Sequence, residues 1–287
     1  MKILVTGANG FVGKHLVKRL KSTGYEVFTF DVAEGDLSLT GALDAFLEQG
    51  ISHVFHLAGK TSVQESWTNP EEFYRINLNG TLTTLEFCRK SGAKMTHISS
   101  YLYGAPDYLP IDENHPLKAY NPYGHSKLIA ENTCVFYRNN FDVQTCILRP
   151  FNIYGPGQPA HFLIQEVIEK VNKPLCETIT VMDLSPRRDY IYIDDLIDAF
   201  LLSIDGKTGI YNLGSGESYS AAEIVDMIMT LSHISKAVVS SGTPRKNEIL
   251  DLYADISKAA RELGWTPKTS LEQGLKLSIQ AYLKEKS

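Results

Sequence analysis

The sequence lacks the features of several common protein classes. Its 287 residues include four cysteines, none of them in a Cys-x-x-Cys pair, which disfavours both a disulfide framework and a cysteine-ligated zinc site. The eight histidines show no metal-ligand spacing. Lysine and arginine (28) are outnumbered by aspartate and glutamate (33), and a net charge of −5 argues against a broad nucleic-acid surface. We expect reduced thiols, no metal and no nucleic-acid partner.

Long apolar runs are also missing. A membrane helix needs about 20 consecutive apolar residues, whereas the most apolar stretch, residues 190–204, is interrupted by Asp194, Asp195 and Asp198. The apolar run near the N-terminus is too short for a secretory signal. With 43% hydrophobic and 21% charged residues, the composition is that of a globular protein. We therefore expect a cytoplasmic protein that does not enter a membrane.

Short apolar strands alternate with helical patterns through the first half of the chain. The patterns predict strands over 2–6, 26–30, 53–57, 95–99 and 143–148. They predict helices from residue 11 to Gly24 and over 39–49, 71–91 and 122–139. Strands that alternate with helices indicate βαβ units and a parallel sheet. The predicted fold class is α/β, a doubly wound parallel sheet (Rossmann) with a smaller C-terminal substrate lobe.

The alternation becomes irregular after Pro150, where several prolines interrupt it. We expect residues 1–152 plus 188–216 to form the dinucleotide-binding domain. Residues 153–187 plus 217–287 are expected to form the substrate-binding lobe. The helix at 194–203 and the strand at 209–213 are predicted to return to the main sheet.

A glycine-rich turn directly follows the first strand. Gly7, Gly10 and Gly13 have the spacing G-x-x-G-x-x-G and lie between a strand and a helix. Free backbone N–H groups and the positive end of a helix suit a pyrophosphate at such a junction. Asp31 ends the next strand, where a carboxylate accepts both ribose hydroxyls of NAD and repels the 2′-phosphate of NADP. The sequence therefore predicts NAD as the cofactor.

A tyrosine and a lysine lie four residues apart at Tyr123 and Lys127. They share one face of a helix if Pro122 occupies its first position. A free tyrosine has a pKa of about 10, and a neighbouring ammonium group lowers that pKa towards neutrality. The pair follows two serines, Ser99 and Ser100, at the end of a predicted strand. This arrangement predicts an acid/base site at the ligand-binding edge of the sheet.

Eight segments together resemble the extended short-chain dehydrogenases/reductases, which epimerise, dehydrate or reduce nucleotide sugars. The segments are TGANGFVG, HLAG, NLNGT, ISSYLYG, YGHSK, LRPFNIYGPGQ, RRDYIYIDD and YNLGSGE. The similarity covers essentially the whole chain. It implies an NAD-dependent enzyme that binds a nucleotide-diphosphate sugar. It also implies a homodimer formed through the helices at 71–91 and 122–139.

The resemblance assigns roles to individual residues. The pyrophosphate would be held by the N-terminal turn, that is Gly7, Gly10, Phe11, Val12 and Gly13. Other cofactor contacts would come from Asp31, Asp36, Leu37, Leu57, Ala58, Gly59 and Lys127, with Asn77 bracing the loop at 57–59. Tyr123 would be the acid/base, and Lys127 would tune it. Positions that contact the diphosphate of the substrate are matched by Asn152, Arg188 and Arg245.

The segment that carries the two serines is one residue shorter than is usual in the family. Counting from the strand places Ser100 beside Tyr123, which we favour, whereas counting back from Gly104 places Ser99 there. The two residues after Ser100 are a tyrosine and a leucine, where the 4,6-dehydratases of the family carry an Asp-Glu pair. Neither residue can replace that acid and base, so a dehydratase is disfavoured.

Two reactions remain, and both move a hydride between the nicotinamide and sugar C4. The segments SVQESWTNP and LRPFNIYGPGQ look closest to reductases of NDP-4-keto-6-deoxy sugars, and the C-terminal lobe is short. We therefore favour a 4-reductase that consumes NADH. The alternative is an NDP-sugar 4-epimerase with recycled NAD. A remote alternative is a redox sensor that binds the dinucleotide without turnover.

Overall fold

The computed structural model describes residues 1–242 and 249–286. In chain order its strands are β1 (Lys2–Thr6), β2 (Glu26–Phe30), β3 (His53–His56), β4 (Lys94–Ile98), β5 (Thr145–Pro150), β6 (Asn152–Tyr154), β7 (Thr178–Val181), β8 (Arg187–Arg188), β9 (Tyr190–Tyr192), β10 (Gly209–Leu213), β11 (Tyr219–Ser220) and β12 (Ala237–Ser240). The α-helices are α1 (Phe11–Ser22), α2 (Val63–Thr68), α3 (Pro70–Tyr74), α4 (Gly80–Ser91), α5 (Pro122–Asn140), α6 (Leu163–Asn172), α7 (Ile193–Ser203), α8 (Ala221–Ser232) and α9 (Leu271–Lys286).

Six strands form the central parallel sheet in the order β10-β5-β4-β3-β1-β2. β1 therefore pairs with β2 on one side and with β3 on the other. In doubly wound sheets, ligands bind beyond the carboxyl ends of the strands at the point where the strand order reverses. The predicted α/β class with a doubly wound parallel sheet is confirmed. The turn after β1 and the loop after β3 meet at this point.

Alternating residues of the sheet pack against helices on its two faces. One hydrophobic cluster contains Ile3, Val5 and Phe55 together with residues of α1 and α7. The intervening residues, such as Leu4 and Val54, pack with residues of α4 and α5 in a second cluster. Burial on both faces explains why the strands read as continuous apolar runs in the sequence.

The predicted helices at 39–49 and 71–91 differ from the observed ones. Residues Asp44–Gln49 form a short 3-10 helix, and the chain before it turns at Gly41, whose φ of 79° is incompatible with a right-handed helix. The second predicted helix consists of α3, a π-helical turn at Arg75–Asn79, and α4. The short helix α2 was not predicted.

The part of the chain after β5 contributes one strand to the main sheet and otherwise forms small pairs. β10 pairs with β5, as predicted for the strand at 209–213. The pairs β6–β9, β7–β12 and β8–β11 lie outside the main sheet. The division into two lobes and the homodimer stay predictions. Within the described residues, none of the helices has the length and apolar character that crossing a bilayer would require.

Candidate active site

The glycine turn after β1 is tightly packed against the loop after β3. Gly7 has a φ of +71°, and a Cβ atom there would lie 2.6 Å from the Ala58 backbone nitrogen. A Cβ atom on Gly13 would lie 2.2 Å from the Gly7 carbonyl oxygen. Gly10 precedes the first residue of α1, and no side chain of the described residues caps that helix. The first N–H groups of α1 are therefore available to an anionic group.

Asp31 lies beside this turn. Its Oδ2 accepts a hydrogen bond from the Asn9 backbone nitrogen at 2.7 Å, and its Oδ1 accepts one from the Val32 backbone nitrogen at 2.8 Å. The carboxylate is thereby fixed at the end of β2, next to the glycine turn. The sequence placed the ribose-binding carboxylate at this residue, and the observed position suits that role.

Asp36 and Leu37 have different surroundings. An Arg75 nitrogen lies 2.7 Å from Asp36 Oδ2. Hydrogen bonds from Ser38, followed by the one from Arg75, lower the pKa of Asp36 to about 2. Leu37 is buried against α4, where a Cβ atom on Gly80 would lie 3.6 Å from its side chain. Local sequence patterns do not reveal Arg75 as a partner of Asp36, because 39 residues separate the two along the chain.

Asn77 connects the loop after β3 to α5. Its Oδ1 accepts a hydrogen bond from the Lys60 backbone nitrogen at 2.8 Å, and its Nδ2 donates to Ser126 Oγ at 2.9 Å. A Cβ atom on Gly59 would lie 2.9 Å from Asn77 Oδ1, so the loop closely follows the amide. Asn77 belongs to the π-helical turn, a feature that is frequent at functional sites. Asn77 therefore lies where the resemblance implies a residue that holds the loop at 57–59.

Tyr123 lies in the first turn of α5, which begins at Pro122 as predicted. The Asn121 side chain caps this helix by accepting a hydrogen bond from the Gly124 backbone nitrogen at 2.7 Å. The Ser100 side chain lies beside the Tyr123 phenol and lowers its pKa through hydrogen bonding. The Ser99 hydroxyl is buried and has no hydrogen-bond partner in the described parts of the chain. Of the two serines, Ser100 is thus the one that acts on the phenol.

The electrostatics of the pair differ from the prediction. Burial raises the pKa of Tyr123, and the hydrogen bond from Ser100 opposes that shift without cancelling it. Lys127 is not among the groups that shift this pKa, and its Nζ atom donates a 2.5 Å hydrogen bond to the Ile98 carbonyl oxygen. Burial lowers the pKa of Lys127 itself to about 8. The net shift of the Tyr123 pKa is thus upward, and its lowering by Lys127 stays a prediction.

Two of the three predicted diphosphate-binding residues are close to each other. Asn152 Nδ2 donates to the Asp189 carbonyl oxygen at 2.8 Å. Arg188 immediately precedes Asp189, and one of its terminal nitrogens donates to the Ile249 carbonyl oxygen at 2.7 Å. Arg245 lies outside the described residues. Asn152 therefore contacts the residue that directly follows Arg188 in the chain.

Sequence reasoning missed the contacts of Lys60. Its ammonium group pairs with Glu65 and Glu72 and lies 5.3 Å from the centre of the Phe73 ring. The Phe73 ring in turn meets the Tyr123 ring edge to face, with centroids 6.4 Å apart. The sequence does carry an indication of these contacts. Lys60 directly follows the loop at 57–59, and two glutamates follow it on short helices.

Replacement of Lys127 by methionine tests the effect of its burial. A lowered lysine pKa means that the charged form destabilises the folded protein; this penalty is complete below pH 8 and disappears above about pH 10.5. We expect Lys127→Met to be more stable than the wild type at pH 7, by about 1–3 kcal/mol. The difference should shrink between pH 8 and pH 10.5, as measured by urea unfolding.

The exposed Lys207 provides the control, and Lys207→Met should leave the pH dependence of unfolding unchanged. The burial of a charged amine would be contradicted if the difference in unfolding free energy between the wild type and Lys127→Met stayed constant over this pH range.

Comparisons with known proteins identify the family. The profile of the NAD dependent epimerase/dehydratase family matches residues 3–214. A putative UDP-glucose 4-epimerase of Methanocaldococcus jannaschii is 33% identical, over 96% of this chain and 96% of its own. A GDP-6-deoxy-D-mannose reductase of Pseudomonas aeruginosa is 29% identical, over 96% and 95%. The crystal structure of UDP-glucose 4-epimerase from Thermotoga maritima with UDP-glucose has a TM-score of 0.93 at 28% identity and covers 100% of both chains.

The family match covers most of the chain, and the Thermotoga maritima structure shares its fold over the full length. The glycine turn, Asp31 and Tyr123 remain site residues by prediction. The chain belongs to the NAD dependent epimerase/dehydratase family.

Proposed function

We propose that the protein is an NAD-dependent nucleotide-sugar 4-epimerase. The observation that carries the proposal is the position of the Ser100 hydroxyl beside the Tyr123 phenol at the carboxyl edge of the sheet, where it acts on the pKa of the phenol. Relatives of nearly the same length are named UDP-glucose 4-epimerase. They favour the epimerase over the reductase that the sequence motifs suggested. UDP-glucose is therefore the first substrate to test.

The residues around the glycine turn fit an NAD molecule. The glycines leave no room for side chains where a pyrophosphate would lie, and the first N–H groups of α1 have no side-chain cap in the described residues. We assign the pyrophosphate to this turn, the adenosine ribose to Asp31, and the remaining contacts to Leu57, Ala58, Gly59 and Lys127. When bound there, NAD would supply a reversible hydride acceptor for sugar C4.

Tyr123 moves the proton that accompanies this hydride. Because burial raises its pKa, the phenol is protonated at neutral pH and is prepared to donate to a sugar oxygen. Removal of a proton from the C4 hydroxyl requires a positive charge near the phenol, and Lys127 carries one below its pKa of about 8. Ser100 holds the sugar oxygen beside Tyr123 by a hydrogen bond.

The diphosphate of the substrate is assigned to Asn152 and Arg188, together with Arg245. Amide N–H groups and guanidinium groups both donate to phosphate oxygens, and the guanidinium also supplies charge. Asn152 and Arg188 lie together through Asp189. The separation between these diphosphate-binding residues and the Tyr123 hydroxyl would determine which carbon of the sugar lies next to the phenol.

A second candidate is the 4-keto reductase. It is favoured by the similarity to a GDP-6-deoxy-D-mannose reductase and by the sequence motifs SVQESWTNP and LRPFNIYGPGQ. In that reaction NADH is the reductant and is consumed. The same Tyr123 and Ser100 would protonate the keto oxygen, so the residues of the proton-transfer site do not distinguish the two reactions.

Product analysis distinguishes these reactions. The purified protein is incubated with UDP-glucose or UDP-galactose without added NADH, and with NDP-4-keto-6-deoxy sugars plus NADH. We expect interconversion of the two UDP-sugars without net consumption of NADH. Oxidation of NADH with the keto sugars and no interconversion would instead establish the reductase. Binding of NADH without turnover of any sugar would indicate a redox sensor.

Removal of one phenol hydroxyl tests the acid/base assignment. We expect Tyr123→Phe to lower kcat by about 10²–10⁴-fold because the proton carrier is lost. The affinity for NAD(H), measured by fluorescence titration, should change little because the ring is kept. Tyr137→Phe is the control, since its phenol contacts Glu86 at 2.8 Å near the other end of α5. Near-wild-type kcat in Tyr123→Phe would remove Tyr123 from the mechanism.

Parallel substitution of the two serines tests which of them serves the phenol. Ser100→Ala removes the hydrogen bond to Tyr123, and we expect kcat to fall about 10- to 100-fold. Ser99→Ala removes a buried hydroxyl that has no partner in the described residues, so kcat should stay within about twofold. Steady-state rates of both variants with the same nucleotide sugar decide the matter. A larger loss in Ser99→Ala would reverse the assignment.

A further inference from the structure

Tyr101 connects the two halves of the proposed active site. It immediately follows Ser100, whose side chain acts on the pKa of the Tyr123 phenol. The Tyr101 hydroxyl donates to Asn152 Oδ1 at 3.1 Å. Its ring stacks on Phe151, with centroids 5.2 Å apart and planes inclined by 23°. Two consecutive residues thus contact the acid/base and the amide assigned to the diphosphate.

The amide of Asn152 is held at both of its ends. Nδ2 donates to the Asp189 carbonyl oxygen at 2.8 Å, and Oδ1 accepts from Tyr101 at 3.1 Å. An amide nitrogen carries two hydrogens, and the second has no acceptor in the described parts of the chain. The amide therefore presents one oriented N–H donor, which is the group that a phosphate oxygen requires.

Asp189, whose carbonyl oxygen accepts the hydrogen bond from Asn152, is held rigidly. The Asp189 side chain is fully buried, and its carboxylate accepts hydrogen bonds from the backbone nitrogens of Ser215, Gly216 and Ala254. A Cβ atom on Gly214 would lie 2.3 Å from Asp189 Oδ2, so the chain is closely packed there. The carbonyl that orients Asn152 thus has little freedom to move. The Tyr101 ring, whose hydroxyl contacts the other end of the amide, stacks on Phe151, which is 2% exposed.

Tyr101 is also close to the phenol of Tyr123. Its charge, if formed, would raise the pKa of Tyr123, so the two hydroxyl groups belong to one region. Tyr101 nevertheless donates its own proton to Asn152, whereas Ser100 is the residue that lowers the pKa of Tyr123. Of these neighbours, Ser100 therefore acts on the phenol of Tyr123, and Tyr101 contacts the amide of Asn152.

We propose that Tyr101 is a positioning residue that orients the Asn152 amide and thereby sets where the substrate diphosphate lies relative to Tyr123. The proposal rests on the proposed function, because it requires a nucleotide-diphosphate sugar in this site. It assigns Tyr101 to substrate binding rather than to proton transfer. Loss of the hydroxyl therefore weakens binding of the diphosphate while the chemical step continues.

Tyr101→Phe isolates the hydroxyl, because the phenyl ring keeps its stacking on Phe151. With the NAD-loaded protein and the UDP-sugar that the wild type converts, we expect KM to rise about two- to tenfold, the usual effect of one hydrogen bond, and kcat to stay within about twofold. Tyr108→Phe is the matched control, since its phenol donates to Asp112 at 2.8 Å on the same loop. Its KM and kcat should equal those of the wild type.

A double-mutant cycle with Asn152→Ala tests whether Tyr101 acts through Asn152. The quantity compared is kcat/KM, which remains measurable when the substrate does not saturate. Tyr101→Phe should lower kcat/KM about two- to tenfold in the wild type and have little further effect in Asn152→Ala. Equal losses in both backgrounds would overturn the proposal, as would an unchanged KM or a fall in kcat alone. A wild type that converts no nucleotide sugar would refute the proposed function instead.

Discussion

The Ser100 side chain and the Tyr123 phenol meet where the end of β4 faces the first turn of α5, and the site is arranged around this junction. From α5, Ser126 accepts a hydrogen bond from Asn77, which holds the loop after β3. That loop in turn packs against Gly7 in the turn after β1. Contacts therefore run without interruption from the phenol to the turn assigned to the pyrophosphate. A shift at either end would separate the acid/base from the cofactor.

A buried charged pair supports the loop that carries Ser100. Arg149 and Glu131 have side chains that are 3% and 2% exposed and form a salt bridge between β5 and α5. Arg149 also donates to the Tyr103 hydroxyl at 2.7 Å, and Tyr103 donates to Asn212 Oδ1 at 2.5 Å. A buried pair of charges is tolerated when its remaining donors and acceptors are satisfied. These bonds tie β5, β10 and the loop together just beyond Ser100.

Local patterns predicted the sheet well and the irregular segments poorly. The strands at 2–6, 26–30 and 209–213 agree with the structure because glycine or an acidic residue bounds each apolar run. The helix predicted at 39–49 was wrong because Gly41 adopts a left-handed conformation. The choice between Ser99 and Ser100 depends on the path of a loop without regular structure. The contacts of Arg75 and Tyr101 join residues about 40 to 50 positions apart, which periodicity does not reveal.

In the proposed reaction a hydride leaves and returns to sugar C4 while Tyr123 moves the proton. The most direct test uses UDP-glucose that carries deuterium at C4, in ordinary water, with the purified protein and no added NADH. We expect UDP-galactose that retains the deuterium at C4, because a hydride transferred within the closed site does not exchange with solvent. Replacement of the deuterium by solvent hydrogen, measured by mass spectrometry, would rule out hydride transfer at C4.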